Sequence, residues 1–541
     1  MGAELPFTEK QRGGRGRERR GRMEAKKVAI IGAGVSGLAA CKFTLSKGLI
    51  PVVLEARGGI GGVWTETLET TALQTPRESY QFSDFPWPKS VTDDFPDHNQ
   101  VMDYLRSYAD HFGLMKHIRF NSKVLSIEYD GCSDDEIQAW TLWAGTGHAF
   151  GDARKWRLQL QDTLTNLPLQ EIVVDFVILC IGRFSDVPYI PKFPPNGGPE
   201  AFKAGKVLHS LEYAAMDFNS ASDLIKDKQI TVVGFQKSAL DLAMECANAN
   251  GPEKPCTVLY KTKHWNLPDH RPWGIPLTFL YMTRFSELLI HKPGESFLLY
   301  LLAVILSPIR WLFSKIVETH VMRKHGLAKY GMVPSHRFLQ DISACLIATL
   351  PEKFYDKVDE GSIILKESPS FGFCEEGIMI EGETEPIRSD LVILATGYRG
   401  DLKLKEIFAS STFRDCMTFH NSVVPLYRQC IHPRIPQLAV VGFTESSSNL
   451  FTSEIRCRWL AEFLDGTFKL PSIRAMEKDI ANWEKTMKHY SGPFFKRACI
   501  AILHIWYSDQ LCKDMGWNPK RKKGLFADLF VPYGPSDYAS P

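Results

Sequence analysis

Residues 28–37 read Val28-Ala29-Ile30-Ile31-Gly32-Ala33-Gly34-Val35-Ser36-Gly37. The four leading apolar residues predict a short buried strand, and the segment 38–45 that follows has a helical pattern. In such a strand–turn–helix unit, the first glycine permits the tight turn, the second lets a pyrophosphate approach the backbone, and the third lets the helix pack on the strand. The pyrophosphate would lie at the helix N-terminus, where free N–H groups favour an anion. The stretch predicts a doubly wound, Rossmann-like α/β domain that binds a dinucleotide.

A second apolar strand follows this unit and ends in an acid. The strand is Pro51–Leu54, and Glu55 comes directly after it. We expect the Glu55 carboxylate to accept hydrogen bonds from an adenosine ribose that carries no 2′-phosphate. Strand, glycines, helix, strand and acid in this register indicate that residues 32–37 and Glu55 bind a dinucleotide whose adenosine ribose is not phosphorylated.

The same pattern returns in a degenerate form further along the chain. An apolar strand at 230–233 leads into Gly234-Phe235-Gln236-Lys237-Ser238-Ala239 and then a helical segment. Alanine is accepted at the third glycine position, whereas Gln236 leaves less room for a pyrophosphate than glycine does. We expect Lys237 and Ser238, at the start of the helix, to contact phosphate directly.

The strand after this second unit ends in cations. Cys256–Tyr260 is followed by Lys261, Thr262 and Lys263, with no acid at the strand end. An acid there would repel a ribose 2′-phosphate, so the pattern favours NADPH over NADH; the alternative is two solvated surface lysines. Two dinucleotide units in one chain predict FAD plus NADPH, with reducing equivalents passing from nicotinamide to flavin.

Composition excludes several classes of protein. Lys and Arg number 64 against 62 Asp and Glu, so no global positive field favours a nucleic-acid partner. No two of the 12 cysteines lie within five positions of each other, which predicts no metal site and thiols that stay reduced in the cytoplasm. Residues 56–131 contain no cysteine, which excludes a flavin disulfide reductase of the usual arrangement.

Neither the basic start of the chain nor its longest apolar run predicts a membrane span. Residues 1–22 are rich in Arg and Gly and predict a disordered, dispensable basic extension, with Met23 as an alternative start; a transit peptide or an RNA-contacting arm is the less favoured interpretation. The longest apolar run, Phe297–Leu306, has ten residues, whereas a membrane-spanning helix needs about 20.

Four further motifs carry a family resemblance. They are Gly61-Gly62-Val63-Trp64, Phe82-Ser83-Asp84-Phe85-Pro86-Trp87-Pro88, Leu394-Ala395-Thr396-Gly397-Tyr398, and the spaced set Gly205, His209 and Tyr213. Over roughly residues 26–535 the chain resembles a plant flavin-containing monooxygenase (class B), of the type related to defence-associated N-hydroxylases. The resemblance assigns Gly62 and Trp64 to flavin contact, and Thr396 and Gly397 to the return of the chain to the flavin domain.

The resemblance also implies a mechanism and its residues. NADPH reduces the flavin, O₂ forms a flavin hydroperoxide, and a soft nucleophile takes the distal oxygen in a site that must exclude water. Gln74 or Thr75 would stand where animal members place a catalytic Asn. His209 would act as an acid or base, or else hold the angle between the domains. Tyr213-Ala214 differs from the pattern expected of a Baeyer–Villiger enzyme, which favours oxygenation of N or S.

We therefore expect two Rossmann-like domains, the NADPH domain inserted into the FAD domain. The predicted limits are 23–206 and 391–535 for FAD, and 207–390 for NADPH with an apolar insertion at 268–335. The apolar segment 277–317 would be a lid over the substrate, a peripheral contact with the endoplasmic reticulum, or ordinary core. Gly442–Leu464 would close the flavin site.

The predicted reaction is N-hydroxylation of a small amine, with O₂ as the second substrate. The resemblance alone points to a pipecolate-like cyclic amino acid in plant defence. The alternatives are S-oxygenation of a thioether such as a glucosinolate, or decarboxylation of an oxo-acid in auxin synthesis. A redox-inactive flavoprotein scaffold or NADPH sensor is the alternative without catalysis.

Overall fold

The computed structural model describes residues 25–131, 133–151, 153–417 and 424–541. The basic extension predicted at 1–22 and the alternative start at Met23 lie outside these residues. The strands are β1 Lys27–Ile31, β2 Ile50–Leu54, β3 Ile118–Arg119, β4 Ser122–Tyr129, β5 Trp156–Asp162, β6 Pro168–Val174, β7 Phe176–Leu179, β8 Lys206–His209, β9 Ile230–Val233, β10 Cys256–Tyr260, β11 Ile363–Glu367, β12 Phe371–Cys374, β13 Gly377–Ile380, β14 Ile387–Arg388, β15 Leu391–Leu394 and β16 Leu438–Val440.

The α-helices are α1 Val35–Ser46, α2 His98–His111, α3 Asp134–Ala139, α4 Ser210–Ala214, α5 Phe218–Ile225, α6 Lys237–Asn250, α7 Leu277–Tyr281, α8 Arg284–Leu288, α9 Phe297–Ile305, α10 Ser307–His325, α11 Phe338–Ser343, α12 Phe354–Asp359, α13 Gly400–Glu406, α14 Ser411–Cys416, α15 Asn449–Leu464, α16 Ile473–Ser491, α17 His504–Asp514 and α18 Leu525–Phe530. Both predicted glycine turns lie between a strand and a helix, β1–α1 and β9–α6, as the apolar patterns indicate.

Two parallel sheets organise the chain. The first has the strand order β16-β7-β1-β2-β3 and the second the order β11-β10-β9-β15-β8. Each contains the strand that precedes one glycine turn, β1 in the first sheet and β9 in the second. The chain leaves the first sheet after β7, builds the whole second sheet, and returns at β16, so the second unit is inserted into the first. The predicted α/β fold with one Rossmann-like unit inserted in the other is confirmed.

The strand β15 shows that one predicted limit was set too early. Residues 391–394 had been assigned to the returning part of the first domain, but β15 pairs with β9 on one side and β8 on the other. All four residues of β15 are buried, because helices cover both faces of a parallel sheet and β15 lies inside this one. The chain therefore leaves the second sheet after Leu394, at the motif that contains Thr396 and Gly397.

A separate core packs on each sheet. The first core includes Val28 and Ile178 of the first sheet, and the second core includes Val232 and Ile393 of the second sheet. Helix α15 lies in the first core with nearly every residue buried, and it packs along α1. The helix that follows the first glycine turn is thus held between its own sheet and α15.

The cysteine prediction is wrong for one pair. Cys345 and Cys499 form a disulfide whose Cα atoms are 5.6 Å apart, although the two residues are separated by 154 positions in the chain. Spacing along the sequence predicts local pairs and metal sites, but it says nothing about cysteines that tertiary folding brings together. Reduced thiols throughout the chain were therefore an incorrect expectation.

The predicted apolar insertion forms α7–α10 and leaves much of its apolar surface uncovered. In α9, Phe297 is 74% exposed and Leu298 75%. Among the described residues, no single helix has both the length and the apolar composition for crossing a membrane. By those two criteria only α9 and α10 qualify together, as a pair bent by 48°.

Candidate cofactor and substrate cavity

One large cavity opens between the carboxyl ends of the two sheets. Its volume is about 1140 Å³, and both glycine turns contribute to its walls. Small-molecule sites usually occupy about 300–1,000 Å³, so this cavity has room for more than one ligand of ordinary size. Ligands of open α/β sheets bind beyond the carboxyl ends of the strands. The cavity therefore occupies the position where two dinucleotides would meet.

The first glycine turn is sterically fixed at its two ends. Gly32 has a φ of +103°, and a Cβ there would lie 2.5 Å from the carbonyl oxygen of Cys180. A Cβ on Gly37 would lie 1.9 Å from the carbonyl oxygen of Gly32. The Gly32 N–H donates to the carbonyl of Leu54 at 2.8 Å, which joins the turn to the neighbouring strand. The roles predicted for the first and third glycines, turning and close packing, therefore have a direct structural basis.

The middle of this turn forms an open cradle against a second glycine loop. Gly34 is the N-cap of α1 in an extended conformation, and a Cβ there would lie 3.4 Å from the Cα of Gly62. Gly34, Val35, Ser36 and Gly62 all line the cavity. Free N–H groups at the start of α1 thus point to a space bounded by backbone, which suits a pyrophosphate.

Glu55 lies at the edge of the same cradle. It is 6% exposed and lines the cavity. Its Oε2 accepts a hydrogen bond from the Ala33 N–H at 2.7 Å, and its Oε1 accepts one from the Arg57 N–H at 2.9 Å. Each carboxylate oxygen has a further lone pair, so Glu55 can still accept from ribose hydroxyls. The predicted ribose residue is therefore held in place by the turn that it serves.

The second glycine turn repeats the geometry of the first. The Gly234 N–H donates to the carbonyl of Leu259 at 2.9 Å, and a Cβ at Gly234, where φ is +138°, would lie 2.5 Å from the carbonyl oxygen of Ala395. Ala239 is buried and fills the position of the third glycine. Phe235 is also buried, with its ring 5.1 Å from that of Tyr260.

The polar residues of the second turn face the cavity. Gln236, Lys237 and Ser238 line it. Lys237 pairs with Asp241 one turn along α6, with Nζ 2.7 Å from Oδ1. Gln236 Nε2 donates to the carbonyl of Leu346 at 3.4 Å, so the glutamine side chain turns towards the protein. That orientation leaves the helix start open in spite of the missing glycine.

Lys261 lies outside the cavity walls. It is exposed and directly follows β10, the strand that pairs with β9. Lys263, two residues on, forms an ion pair with Glu367 of β11, with Nζ 2.8 Å from Oε2. Lys261 is thus the more available of the two cations for a ribose 2′-phosphate.

Gln74 and Thr75 both line the cavity. The side-chain Oε1 of Gln74 is buried and has no hydrogen-bond partner within the described residues. The Gln74 carbonyl accepts a hydrogen bond from Thr349 Oγ1 at 3.3 Å. A buried oxygen without a partner costs about 1–3 kcal/mol, so its position at the cavity indicates a group that a bound ligand satisfies.

Trp64 is on the cavity wall beside the first glycine turn. Its Nε1 donates to the hydroxyl of Tyr80 at 2.9 Å, and Tyr80 also lines the cavity. Burial raises the pKa of Tyr80 to about 12, so the hydroxyl stays protonated. Thr396 and Gly397, which follow β15, also line the cavity. The aromatic pair supplies an apolar wall of the kind that excludes water.

His209 is not part of the cavity wall. The ring is 2% exposed, and its Nδ1 accepts a hydrogen bond from the Leu211 N–H at 3.1 Å as the N-cap of α4. Burial lowers the pKa of His209, which favours the neutral form. Ser210, next in the chain, and Tyr398, whose ring centroid lies 5.6 Å from that of His209, do line the cavity. The role of His209 as an acid or base stays a prediction. The structural alternative fits the observed contacts.

A charged cluster that the sequence did not reveal stands at the cavity. Arg183, Glu445 and Arg497 all line it. Arg497 Nη2 lies 2.6 Å from Glu445 Oε2, and Arg183 Nη1 lies 3.6 Å from Glu445 Oε1. The cluster has two cations and one anion, a net charge of +1. Glu445 follows Gly442 in the segment predicted to close the flavin site, and Gly442 also lines the cavity.

Three further residues have the composition of a metal site but are joined by hydrogen bonds. His264 Nδ1 and His336 Nε2 lie 3.2 Å and 2.8 Å from the same oxygen of Asp341, and the Trp265 N–H donates to its other oxygen at 2.8 Å. Their potential ligand atoms lie within 4.8 Å of one another. Asp341 is fully buried, so these donors stabilise its charge. We infer that the cluster stabilises the chain around α11.

Comparison with known proteins places this geometry in a family. A family model described as FMO-like, flavin-binding monooxygenase-like, matches residues 25–532. The "Probable flavin-containing monooxygenase 1" of Arabidopsis thaliana is 42% identical over 521 residues, covering 96% of this chain and 97% of that protein.

Two solved structures share the fold. Cyclohexanone monooxygenase bound to epsilon-caprolactone has a TM-score of 0.62 at 14% identity and covers 90% of this chain and 97% of its own. S-allyl-L-cysteine S-oxygenase from Allium sativum has a TM-score of 0.54 at 16% identity, with coverage of 91% and 89%. At these identities the likeness concerns the fold alone.

The family match spans both glycine turns, the Trp64 loop and the cavity-lining Gly442. The enzyme class and the two cofactors predicted from the sequence are confirmed by it. The chain belongs to the flavin-containing monooxygenase family, in its plant branch, and is an oxidoreductase that uses FAD and NADPH with O₂ and a small-molecule substrate.

Proposed function

We propose that the enzyme hydroxylates the nitrogen of a small amine that also carries a carboxylate, as pipecolate does. The observation that supports this is the cluster of Arg183 and Arg497 around the single carboxylate of Glu445 on the cavity wall. Burial lowers the pKa of Arg183, but an arginine remains charged in proteins. A substrate carboxylate would be attracted by the net positive charge and could bond an arginine fork with two parallel hydrogen bonds.

We propose that each glycine turn holds one cofactor. FAD would bind with its pyrophosphate at Gly34 and Gly62 and its ribose at Glu55. NADPH would bind with its pyrophosphate at Lys237 and Ser238 and its 2′-phosphate at Lys261. When bound, the flavin accepts the nicotinamide hydride and activates O₂, so that NADPH, a proton, O₂ and the amine yield NADP⁺, hydroxylamine and water.

The residues of the chain would prepare the reacting groups. Trp64 and Tyr80 form an apolar wall that excludes water, which protects a reactive oxygen species from early release. Gln74 would direct its unpartnered Oε1 to a donor on the bound cofactor or substrate. The arginine cluster would orient the amine with its nitrogen towards the flavin, since holding the reactants in line supplies much of a rate enhancement.

A thioether that bears a carboxylate is the second candidate. The structure with a related fold from Allium sativum is an S-oxygenase of S-allyl-L-cysteine, which is itself an amino acid. The same arginine cluster would hold its carboxylate and present sulfur in place of nitrogen. An indole oxo-acid would share the carboxylate but would lose CO₂, so its product distinguishes it. A plant-defence role would follow from the first candidate.

Matched substrates test this proposal. The FAD-loaded enzyme should convert pipecolate, identified by the mass of its hydroxylated product per NADPH consumed, and should convert piperidine poorly because piperidine has no carboxylate. Arg497→Gln should raise the KM for pipecolate by about 10- to 100-fold, the value of a charged hydrogen bond of about 1.5–3 kcal/mol. Arg388→Gln, at a side chain 81% exposed, is the matched control. Equal KM values for pipecolate in both variants would remove the arginine cluster from substrate binding.

We also propose a cytoplasmic protein in peripheral contact with the endoplasmic reticulum through residues 277–317. Phe297, Leu298 and Ile305 of α9 are 74%, 75% and 65% exposed, and large apolar patches of this kind mark binding surfaces. Flotation with phosphatidylcholine vesicles tests it. The enzyme should float with the vesicles, and replacement of the three side chains by serine should abolish flotation; unchanged flotation would exclude α9.

A further inference from the structure

We propose that Cys345 and Cys499 are a reversible thiol-oxidation site that fixes one wall of the active cavity. The disulfide joins Cys499 to a segment that passes between the two cores. Cys499 is fully buried in the first core and Cys345 packs against that core, whereas Ala348 and Leu350, just after Cys345, pack in the second core. The bond therefore connects the two halves of the molecule beside their common cavity.

The segment that the disulfide holds is part of the cavity wall. We call residues 336–350 the cavity strap. Ile342, Cys345 and Ile347 of the strap line the cavity, and Cys345 is partly exposed there. On the other side of the bond, Arg497 and Ala501 flank Cys499 and line the same cavity. A dissolved oxidant or reductant can therefore reach the pair through the cavity.

The strap also contacts residues already placed near the cofactors. Its Leu346 carbonyl accepts a hydrogen bond from Gln236 Nε2 at 3.4 Å, and its Thr349 hydroxyl donates to the carbonyl of Gln74 at 3.3 Å. Both bonds are long, so they hold the strap weakly against Gln236 and Gln74, whereas α11 is held by the Asp341 cluster and the end of the strap by backbone bonds to Leu267. A covalent link to Cys499 would hold the strap against Gln236 and Gln74 far more firmly.

Hydrogen peroxide is the oxidant that the site would meet. This point rests on the proposed function, because a flavin monooxygenase releases H₂O₂ when NADPH is consumed without product. The Cys345 thiolate attacks the O–O bond, an S–O bond forms, and the first water leaves. The Cys499 thiolate then attacks that sulfur, the S–S bond forms, and the second water leaves. Two thiols and one H₂O₂ thus give one disulfide and two waters.

Reduction reverses the change with a thiol of the glutathione class. Two equivalents of glutathione yield the two cysteine thiols and glutathione disulfide, through a mixed disulfide. The oxidised enzyme would have a fixed, dry cavity, and the reduced enzyme a looser one that loses more peroxide. Peroxide released by the loose form would restore the fixed form.

Differential alkylation of the full-length holoenzyme tests the site directly. The enzyme is reduced with dithiothreitol, desalted, treated or not with equimolar H₂O₂, and alkylated with iodoacetamide before peptide mass spectrometry. Cys345 and Cys499 should be alkylated without peroxide, protected with it, and alkylated again after millimolar glutathione. Cys374, which is partly exposed in β12, is the control and should be alkylated throughout. Alkylation of the pair after peroxide, or protection that glutathione does not reverse, would overturn the proposal.

Hydrogen exchange tests what the bond does to the strap. Amide exchange in residues 336–350 should be roughly tenfold slower in the oxidised enzyme than in the reduced one, because local opening then requires more free energy. The double variant Cys345→Ser, Cys499→Ser should exchange rapidly with or without peroxide, and Cys374→Ser should behave as the unaltered enzyme. Equal exchange in the oxidised and reduced enzymes would overturn the role of the strap.

These readouts separate the proposal from the proposed function. Alkylation and exchange with added H₂O₂ require no turnover, so they remain informative if no amine is hydroxylated. Turnover is then tested by supplying NADPH and O₂ to the reduced holoenzyme. The pair should become protected, and catalase should prevent that protection. Failure with NADPH alongside success with added H₂O₂ would overturn self-oxidation by the enzyme.

Discussion

Replacing Gly34 by valine should abolish FAD retention while the protein stays folded. Gly34 has φ of −76° and ψ of −172°, a region that valine adopts readily. A Cβ at this position lies 3.4 Å from the Cα of Gly62, which is ordinary van der Waals contact. The two added methyl groups would occupy the space where the pyrophosphate approaches the backbone. The variant therefore loses the ligand without losing the fold.

The adjacent variant Gly37→Ala provides the contrast. Its Cβ would lie 1.9 Å from the carbonyl oxygen of Gly32 and 2.9 Å from the carbonyl carbon, so β1 and α1 must separate. Overpacking of a core costs about 1–3 kcal/mol, and a backbone overlap of this size belongs at the upper end. Gly37→Ala should thus lower the free energy of unfolding even in the absence of FAD.

Flavin content and thermal unfolding distinguish the two effects. FAD at about 100 times its Kd should stabilise the unaltered enzyme by about 2.7 kcal/mol. Gly34→Val should unfold at the temperature of the apo-enzyme whether or not FAD is added, and should elute from gel filtration colourless. A Gly34→Val protein that stays yellow would refute the placement of the pyrophosphate at Gly34. A Gly34→Val apo-protein as unstable as Gly37→Ala would refute the argument that position 34 has room for a side chain.

Three further predictions concern charge, protonation and coupling. Lys261→Glu should raise the KM for NADPH about tenfold with little change for NADH, whereas Lys263→Glu should have a smaller effect; equal effects on both nucleotides would exclude Lys261 from the 2′-phosphate site. Burial lowers the pKa of His432 and His504 to about 4, below the value of about 6.5 in unfolded chains. The unfolded chain therefore binds more protons than the folded chain as pH falls from 6.5 towards 4. Urea titrations should show that the free energy of unfolding falls by up to about 1.4 kcal/mol per pH unit for each histidine. A free energy of unfolding that does not change over this pH range would contradict the prediction. Gln74→Leu should lower product per NADPH about tenfold, with peroxide making up the difference, and unchanged coupling would leave Gln74 without a role.

The parts of the fold that local sequence determines could be predicted. A glycine at position 32 follows four apolar residues, and the close approach of Gly37 to Gly32 involves residues only five positions apart. The contacts of the same turn with Cys180 and Leu54 come from strands that the apolar pattern also predicts. The second turn was predictable in spite of Gln236, because the apolar strand and the helical pattern around it were intact. Strand β15 was assigned to the wrong domain because an apolar run does not reveal which sheet it joins.

The parts of the site that depend on distant contacts could not be predicted. Arg497 and Arg183 reach the same cavity through tertiary folding, and neither belongs to a recognisable motif. The bond between Cys345 and Cys499 likewise joins residues 154 positions apart. His209 shows the converse, since its spacing matches the family pattern but its own side chain caps α4 and does not line the cavity.

We propose that nicotinamide and flavin meet in one cavity of one chain. Anaerobic mixing of the FAD-loaded enzyme with NADPH, and with NADPH deuterated at the transferred position, tests it in a stopped-flow spectrophotometer. We predict rapid first-order bleaching of the oxidised flavin, independent of enzyme concentration and slowed by deuterium. Bleaching that is absent, or that requires a second protein, would show that hydride transfer within this cavity does not occur.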